Sequence, residues 1–204
     1  MNGLFLSFEG IDGSGKTTQV SLLAAALRER GREVVSLREP GGTGLGERIR
    51  SLLLDKSDDA PVPQAELLLF AAARAQIVRT QILPALERGA VVVLDRFVDA
   101  TYAYQGFGRG LPLDQILALE TIAAGILPAR TWFLDLEPAE AARRRQTRGE
   151  AADRMESETD RFRAKVREGY LERARLDPTR MKVLDASRSR EEIAAAILED
   201  ALGL

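Results

Sequence analysis

The chain has 204 residues, 45% hydrophobic and 29% charged, an ordinary composition for a single folded domain with a full core. With 29 Lys and Arg against 31 Asp and Glu, it carries no general basic field for long nucleic acid, so any anion binding must be local. Cysteine and histidine are both absent, which excludes disulfides, thiolate nucleophiles, Cys- or His-based metal sites and Ser-His-Asp chemistry.

In chain order, the first expected strand is "LFLSF" at 4–8. It runs into "FEGIDGSGKTTQ", which fits G-x-x-x-x-G-K-[ST] at Gly10, Gly15, Lys16 and Thr17. Glycine normally costs stability inside ordered structure, so three in one short stretch need a reason. A cradle for a phosphate supplies it. Backbone N–H groups from Gly10, Ile11, Asp12, Gly13, Ser14, Gly15 and onward to Thr18 can wrap the anion, and the following helix N-terminus adds partial positive charge. Lys16 neutralises the outer phosphates, and the Thr17 hydroxyl is a candidate ligand for Mg²⁺.

A helix is expected over 17–30, ended by Gly31, followed by a strand over 33–37 and a long helical pattern over 64–87 in which Pro84 forces a kink or break. The third strand, "VVVLD" at 91–95, follows Gly89. Helix 113–124, strand 131–136, helices 137–147 and 157–176, strand 181–185 and helix 190–202 complete the pattern. Apolar, β-branched strands alternating with helices predict a five-stranded parallel α/β sheet with helices on both faces. No stretch approaches the roughly 18 uninterrupted apolar residues of a membrane span, so a cytoplasmic protein with no membrane contact is expected.

The chain has no guanine-reading N-K-x-D, and Asp95 is followed by Arg96 rather than by a water-activating Glu. An arginine binds phosphate and does not deprotonate water. An arginine at this place suits a second substrate that is itself a phosphate ester, whose phosphorylation depends on positioning and charge neutralisation. Phe70 and Arg74 lie four apart on one helix and share a face. The charged run "RRRQTRGEAADR" at 143–154 lacks an apolar stripe. These residues leave room for several small-acceptor kinases, a nucleoside kinase among them, and for a module that binds ATP without transferring anything.

Four stretches together, "FEGIDGSGKTTQ", "REPGGT" at 38–43, "DRFVDATYAYQG" at 95–106 and "DRMESE" at 153–158, resemble bacterial thymidylate kinases nearly end to end. The resemblance implies a P-loop fold of the nucleoside monophosphate kinase type, one domain over 1–204 with a mobile helical lid at about 143–155. It implies ATP-dependent phosphorylation of dTMP to dTDP with Mg²⁺, no nucleic acid polymer, and a homodimer. Carried over residue by residue, Asp12 faces the acceptor near the sugar 3′-hydroxyl, and Arg38, Glu39 and Pro40 flank the acceptor pocket. Phe70 stacks on thymine and Arg74 donates to a base oxygen. Arg96 grips the acceptor monophosphate, and Asp95 serves the Mg²⁺ shell or orders Arg96. Thr101, Tyr104 and Gln105 contact base edge and sugar, with Tyr104 where a ribose 2′-hydroxyl would go. Members carry a catalytic arginine either in the P-loop or in the lid; Ser14 stands in this P-loop, so the lid supplies it, with Arg148 favoured over Arg144 and Arg145. Arg154 and Glu156 are expected as lid-closure contacts. Phe97 departs from the tyrosine, histidine or tryptophan usual after Asp-Arg, with no loss of chemistry expected.

Overall fold

The computed structural model describes residues 3–56, 59–146, 153–155 and 157–204. Strands β1 (Leu4–Glu9), β2 (Val34–Arg38), β3 (Val91–Asp95), β4 (Arg130–Asp135) and β5 (Met181–Asp185) form one sheet in the order β2-β3-β1-β4-β5. All four neighbouring pairs are parallel. Successive side chains on a strand point to opposite faces. In β3, Val91 and Val93 enter one apolar cluster while Val92 and Leu94 enter another. Both faces of the sheet are therefore covered, which is why these strands are apolar throughout rather than alternating with polar residues.

Helices α1 (Lys16–Glu29), α2 (Gly44–Leu54), α3 (Pro63–Ile77), α4 (Leu83–Glu87), α5 (Val98–Thr101), α6 (Leu113–Ala123), α7 (Pro138–Gln146), α8 (Asp160–Leu176) and α9 (Arg190–Leu202) supply the layers. Leu23 and Leu27 of α1, Val166 and Tyr170 of α8 and Ile193 and Ile197 of α9 line one face. Ile77, Val78, Ile82 and Ala85 line the other. The long pattern ahead of β3 is broken near Pro84, as its sequence requires. Proline lacks an N–H and its ring would strike the Thr80 carbonyl of a regular helix. The chain widens into a π-helical stretch over Val78–Ile82 just before α4.

Two helical stretches fall outside the expected elements. The first is α2, in the glycine-rich run after β2; its start is fixed by Thr43, whose hydroxyl accepts from the Gly46 N–H at 2.9 Å. The second is α5 with the π-helical segment Tyr102–Gly108 that continues it.

Register matters for the site. Phe8 pairs with Asp95, and Arg38 pairs with the same residue from the other side. The carboxyl ends of β1, β2 and β3 thus finish level, and the loops beyond them open onto one crevice, where open α/β sheets place ligands.

Candidate active site

The loop between β1 and α1 is built from backbone that only glycine adopts easily. Gly13 has φ 96°, and a Cβ placed on it would sit 2.6 Å from the Ala141 carbonyl of α7. Gly15, at φ 97°, stands as N-cap of α1. Lys16 is buried, donates to the Ile11 carbonyl at 3.1 Å and lies 3.7 Å from Asp12 Oδ1. Burial lowers its pKa, with Arg96 adding to the effect. The Thr17 hydroxyl donates to Asp95 Oδ2 at 2.6 Å, which brings one hydroxyl and one carboxylate, both hard oxygen donors, to the mouth of the loop. Among the described residues no group of three or more His, Cys, Asp or Glu side chains is placed to hold a metal. A cation held here would take most of its ligands from phosphate and water, a fit that suits Mg²⁺.

Arg96 follows β3 in an unusual backbone conformation, φ 68°, fixed by its own N–H donating to the Phe8 carbonyl at 2.9 Å. Its guanidinium reaches Asp12 Oδ1 at 2.5 Å and lies 4.9 Å from the Tyr104 ring centroid. Burial works to raise the Asp12 pKa, but Arg96 and Lys16 outweigh it and hold the carboxyl well below the usual carboxylate range. Asp12 is therefore an acceptor-only anion between two cations.

Two crevices meet at this pair. One is lined by the P-loop, Lys16, Thr17 and Asp95. The other is lined by Phe70, Arg74, Ala100, Thr101, Tyr104 and Gln105. Asp12, Glu39, Arg50 and Arg96 border both. Sequence reasoning missed Arg50, which lies on the unexpected helix α2 and donates to the Pro40 carbonyl at 3.0 Å. The Glu39–Pro40 peptide is cis.

Arg74 is buried and almost fully engaged. Nε donates to Glu39 Oε2 at 2.8 Å, Nη1 to Thr101 Oγ1 at 2.8 Å and Nη2 to the Phe97 carbonyl at 3.1 Å. Phe97 is buried, with its ring 5.2 Å from the Arg74 guanidinium and edge-on to Phe5. Its side chain packs in the core rather than facing either crevice.

Gln105 donates to Glu66 Oε1 at 2.8 Å. Glu66 is fully buried at the start of α3 and also accepts from Arg109 and, at 2.6 Å, from Arg154. Arg154 donates in addition to the Leu53 carbonyl at 2.7 Å. Glu66 was not anticipated; a carboxylate among "AELLLF" was its one sequence signal.

Within the arginine-rich stretch, Arg144 Nε donates to Glu140 at 3.0 Å and Arg145 Nη1 donates to the Asp12 carbonyl at 2.8 Å. Arg148 and Glu156 lie outside the described residues. Glu9 and Tyr170, also unforeseen, sit directly behind Arg96. Phe97 N–H donates to Glu9 Oε1 at 2.7 Å, the Tyr170 hydroxyl to Glu9 Oε2 at 2.9 Å, and Arg96 Nη1 to the Tyr170 oxygen at 3.1 Å.

Known proteins resemble this chain over nearly its whole length. The thymidylate kinase family model matches residues 8–197. A thymidylate kinase from Bifidobacterium longum is 51% identical over 204 residues, covering 98% of each chain. One from Caldanaerobacter subterraneus is 48% identical, covering 91% of this chain and 88% of its own. The crystal structure of thymidylate kinase from Ehrlichia chaffeensis superposes with a TM-score of 0.75 at 36% identity, over 90% of this chain and 93% of that one. With a family model matched over nearly the whole chain and relatives at about half identity aligned almost end to end, the chain belongs to the thymidylate kinase family.

Proposed function

We propose that the chain transfers the γ-phosphoryl group of ATP to dTMP, giving dTDP and ADP, as an Mg²⁺-dependent, cytoplasmic homodimer. The observation that carries this reading is the meeting of two crevices, each bordered by cationic side chains, at one carboxylate–guanidinium pair, Asp12 and Arg96. The P-loop amides and Lys16 hold the donor phosphates, while Arg96, with Arg50 beside it, holds the acceptor phosphate. Phe70 offers a flat apolar surface to the thymine ring. Arg74, locked by Glu39 and Thr101, presents its remaining Nη1 N–H to a base oxygen. Asp12 accepts from the sugar 3′-hydroxyl, for which an ionised carboxylate is well suited. Gln105 and Tyr104 border the sugar, and the Tyr104 ring leaves a deoxyribose more room than a ribose.

Bound between Thr17, Asp95 and the phosphates, Mg²⁺ would neutralise charge that develops on the transferred group. Arg145, already donating into the P-loop, and Arg148 are the arginines assigned to the same charge, and the segment 143–155 acts as the lid that brings them in. Such a reaction needs alignment and charge stabilisation, and no strong base. Exposed Leu68 on α3 and Leu113 and Leu117 on α6 support pairing with a second copy.

A coupled assay of ADP release across dTMP, dUMP, dGMP, CMP and thymidine tests the reading. Strong, saturable turnover with dTMP and little with dGMP, CMP or thymidine is expected. Preference for another monophosphate or for the nucleoside would reassign the substrate, and ATP binding without turnover would make the chain a nucleotide-binding module.

A further inference from the structure

Glu9 is the last residue of β1 and fully buried, and the two groups that donate to its oxygens, the Phe97 N–H and the Tyr170 hydroxyl, are both neutral. This sets it apart from Asp99, the other fully buried aspartate or glutamate near β3, which is ion-paired to Arg173 and Arg180 at 2.9 and 2.7 Å. Burying a carboxyl on neutral donors alone is costly, and a purely structural cap needs no such group. Both neutral donors to Glu9 lead to Arg96. One is the N–H of Phe97, the next residue in the chain. The other is the Tyr170 hydroxyl, whose oxygen accepts from Arg96 Nη1. Glu9 therefore fixes Arg96 twice, through the main chain on its C-terminal side and through the side chain at its tip.

The second of these links is non-local. Tyr170 is 161 residues from Glu9 and arrives on α8. Its ring stacks on Phe133 of β4, with centroids 4.9 Å apart and planes at 23°. The preceding Gly169 lets α8 approach the π-helical segment closely; a Cβ there would lie 2.9 Å from the Ala103 Cα. That same segment carries Tyr104, whose face lies against the guanidinium. The helix that follows the arginine-rich stretch thus delivers the hydroxyl that orients the acceptor arginine.

We propose that Glu9 and Tyr170 are positioning residues for the phosphoryl acceptor, a carboxyl–hydroxyl relay that aims the Arg96 guanidinium at the acceptor phosphate. Neither touches the reacting atoms. The inference rests on Arg96 gripping that phosphate, and the test separates the two claims. Tyr170→Phe keeps the ring and its stacking and removes only the hydroxyl. Binding of dTMP to this variant weakens roughly 10-fold, the scale of a hydrogen bond to a charged group. Binding of thymidine, which lacks the phosphate, stays within about twofold, and so does the KM for ATP. Glu9→Gln keeps an acceptor oxygen for Phe97 N–H but turns an amide toward Tyr170. Measured at about pH 9, where Glu9 is ionised, it shifts dTMP binding in the same direction, and the double variant is no worse than Tyr170→Phe alone. Unchanged dTMP binding in Tyr170→Phe, or equal weakening of dTMP and thymidine, overturns the relay. Arg96→Ala supplies the control: dTMP affinity surviving that change would overturn the role of Arg96 itself and the relay with it. Loss there with normal dTMP binding in Tyr170→Phe would overturn the relay alone.

Discussion

Tyr104 has two tasks that a substitution can separate. Its face lies against the Arg96 guanidinium at 4.9 Å, and its ring lines the crevice proposed for the acceptor. Tyr104→Ala therefore lowers activity with every acceptor, but it should also raise kcat/KM for ribothymidine monophosphate relative to dTMP by about 10-fold, because the obstacle to a 2′-hydroxyl is gone. An unchanged ratio would show that sugar selection lies elsewhere. Glu9 gives a prediction in pH. Burial, reinforced by the charge of Asp99 and opposed by Arg96, pushes its carboxyl from an ordinary 4.5 up to about 8. Between those values the native protein keeps a proton that the unfolded chain has released. This contribution to stability is complete below the lower value and lost as pH rises through the upper one. Burial raises Glu39 and Glu120 as well, so they add to the same slope. Urea midpoints taken from pH 5 to 8 should fall for the native sequence and fall less steeply for Glu9→Gln. Equal slopes would mean that Glu9 does not hold that proton. The placement of Lys16 and Thr17 at the mouth of the loop was legible in the sequence because it is written in local spacing. Glu9, Tyr170, Glu66 and Arg50 were not, because what they do depends on partners brought together from distant parts of the chain.

The elements show the same division. The five strands were legible within a residue at either end, since continuous β-branched runs are what a sheet covered on both faces demands. α2 was hidden by its glycines, which weaken any helical pattern; a threonine cap and packing of Ile49 and Leu53 against α3 make it a helix. The segment Tyr102–Gly108 was readable as a motif and not as a π-helix, because packing against α8 sets its conformation. Glu66 ties three such elements together. It accepts from Arg109 and Gln105 of the π-helical region and from Arg154 at the end of the arginine-rich stretch. Glu66→Gln keeps the shape and removes the charge from these bonds. It should lower unfolding free energy by about 1.5–3 kcal/mol, seen in urea titration, and raise the KM for dTMP through loss of order at Gln105. Native stability in that variant would show the arginines are satisfied without it.

At the scale of the whole molecule, topology decides where chemistry can occur. β1 lies between β3 and β4, so the loop leaving β1 and the Asp95–Arg96 step leaving β3 are neighbours although more than eighty residues separate them. A level register at those strand ends puts the two crevices side by side, and Asp12 with Arg96 forms the wall they share. The most direct test is a crystal structure with dTMP and a non-hydrolysable ATP analogue bound together. The dTMP phosphate is expected on Arg96, its base against Phe70 and Arg74, the terminal donor phosphate on Lys16, and Arg145 or Arg148 between the two phosphates. A dTMP phosphate seated away from Arg96, with the space from Phe70 to Arg96 empty, would contradict it.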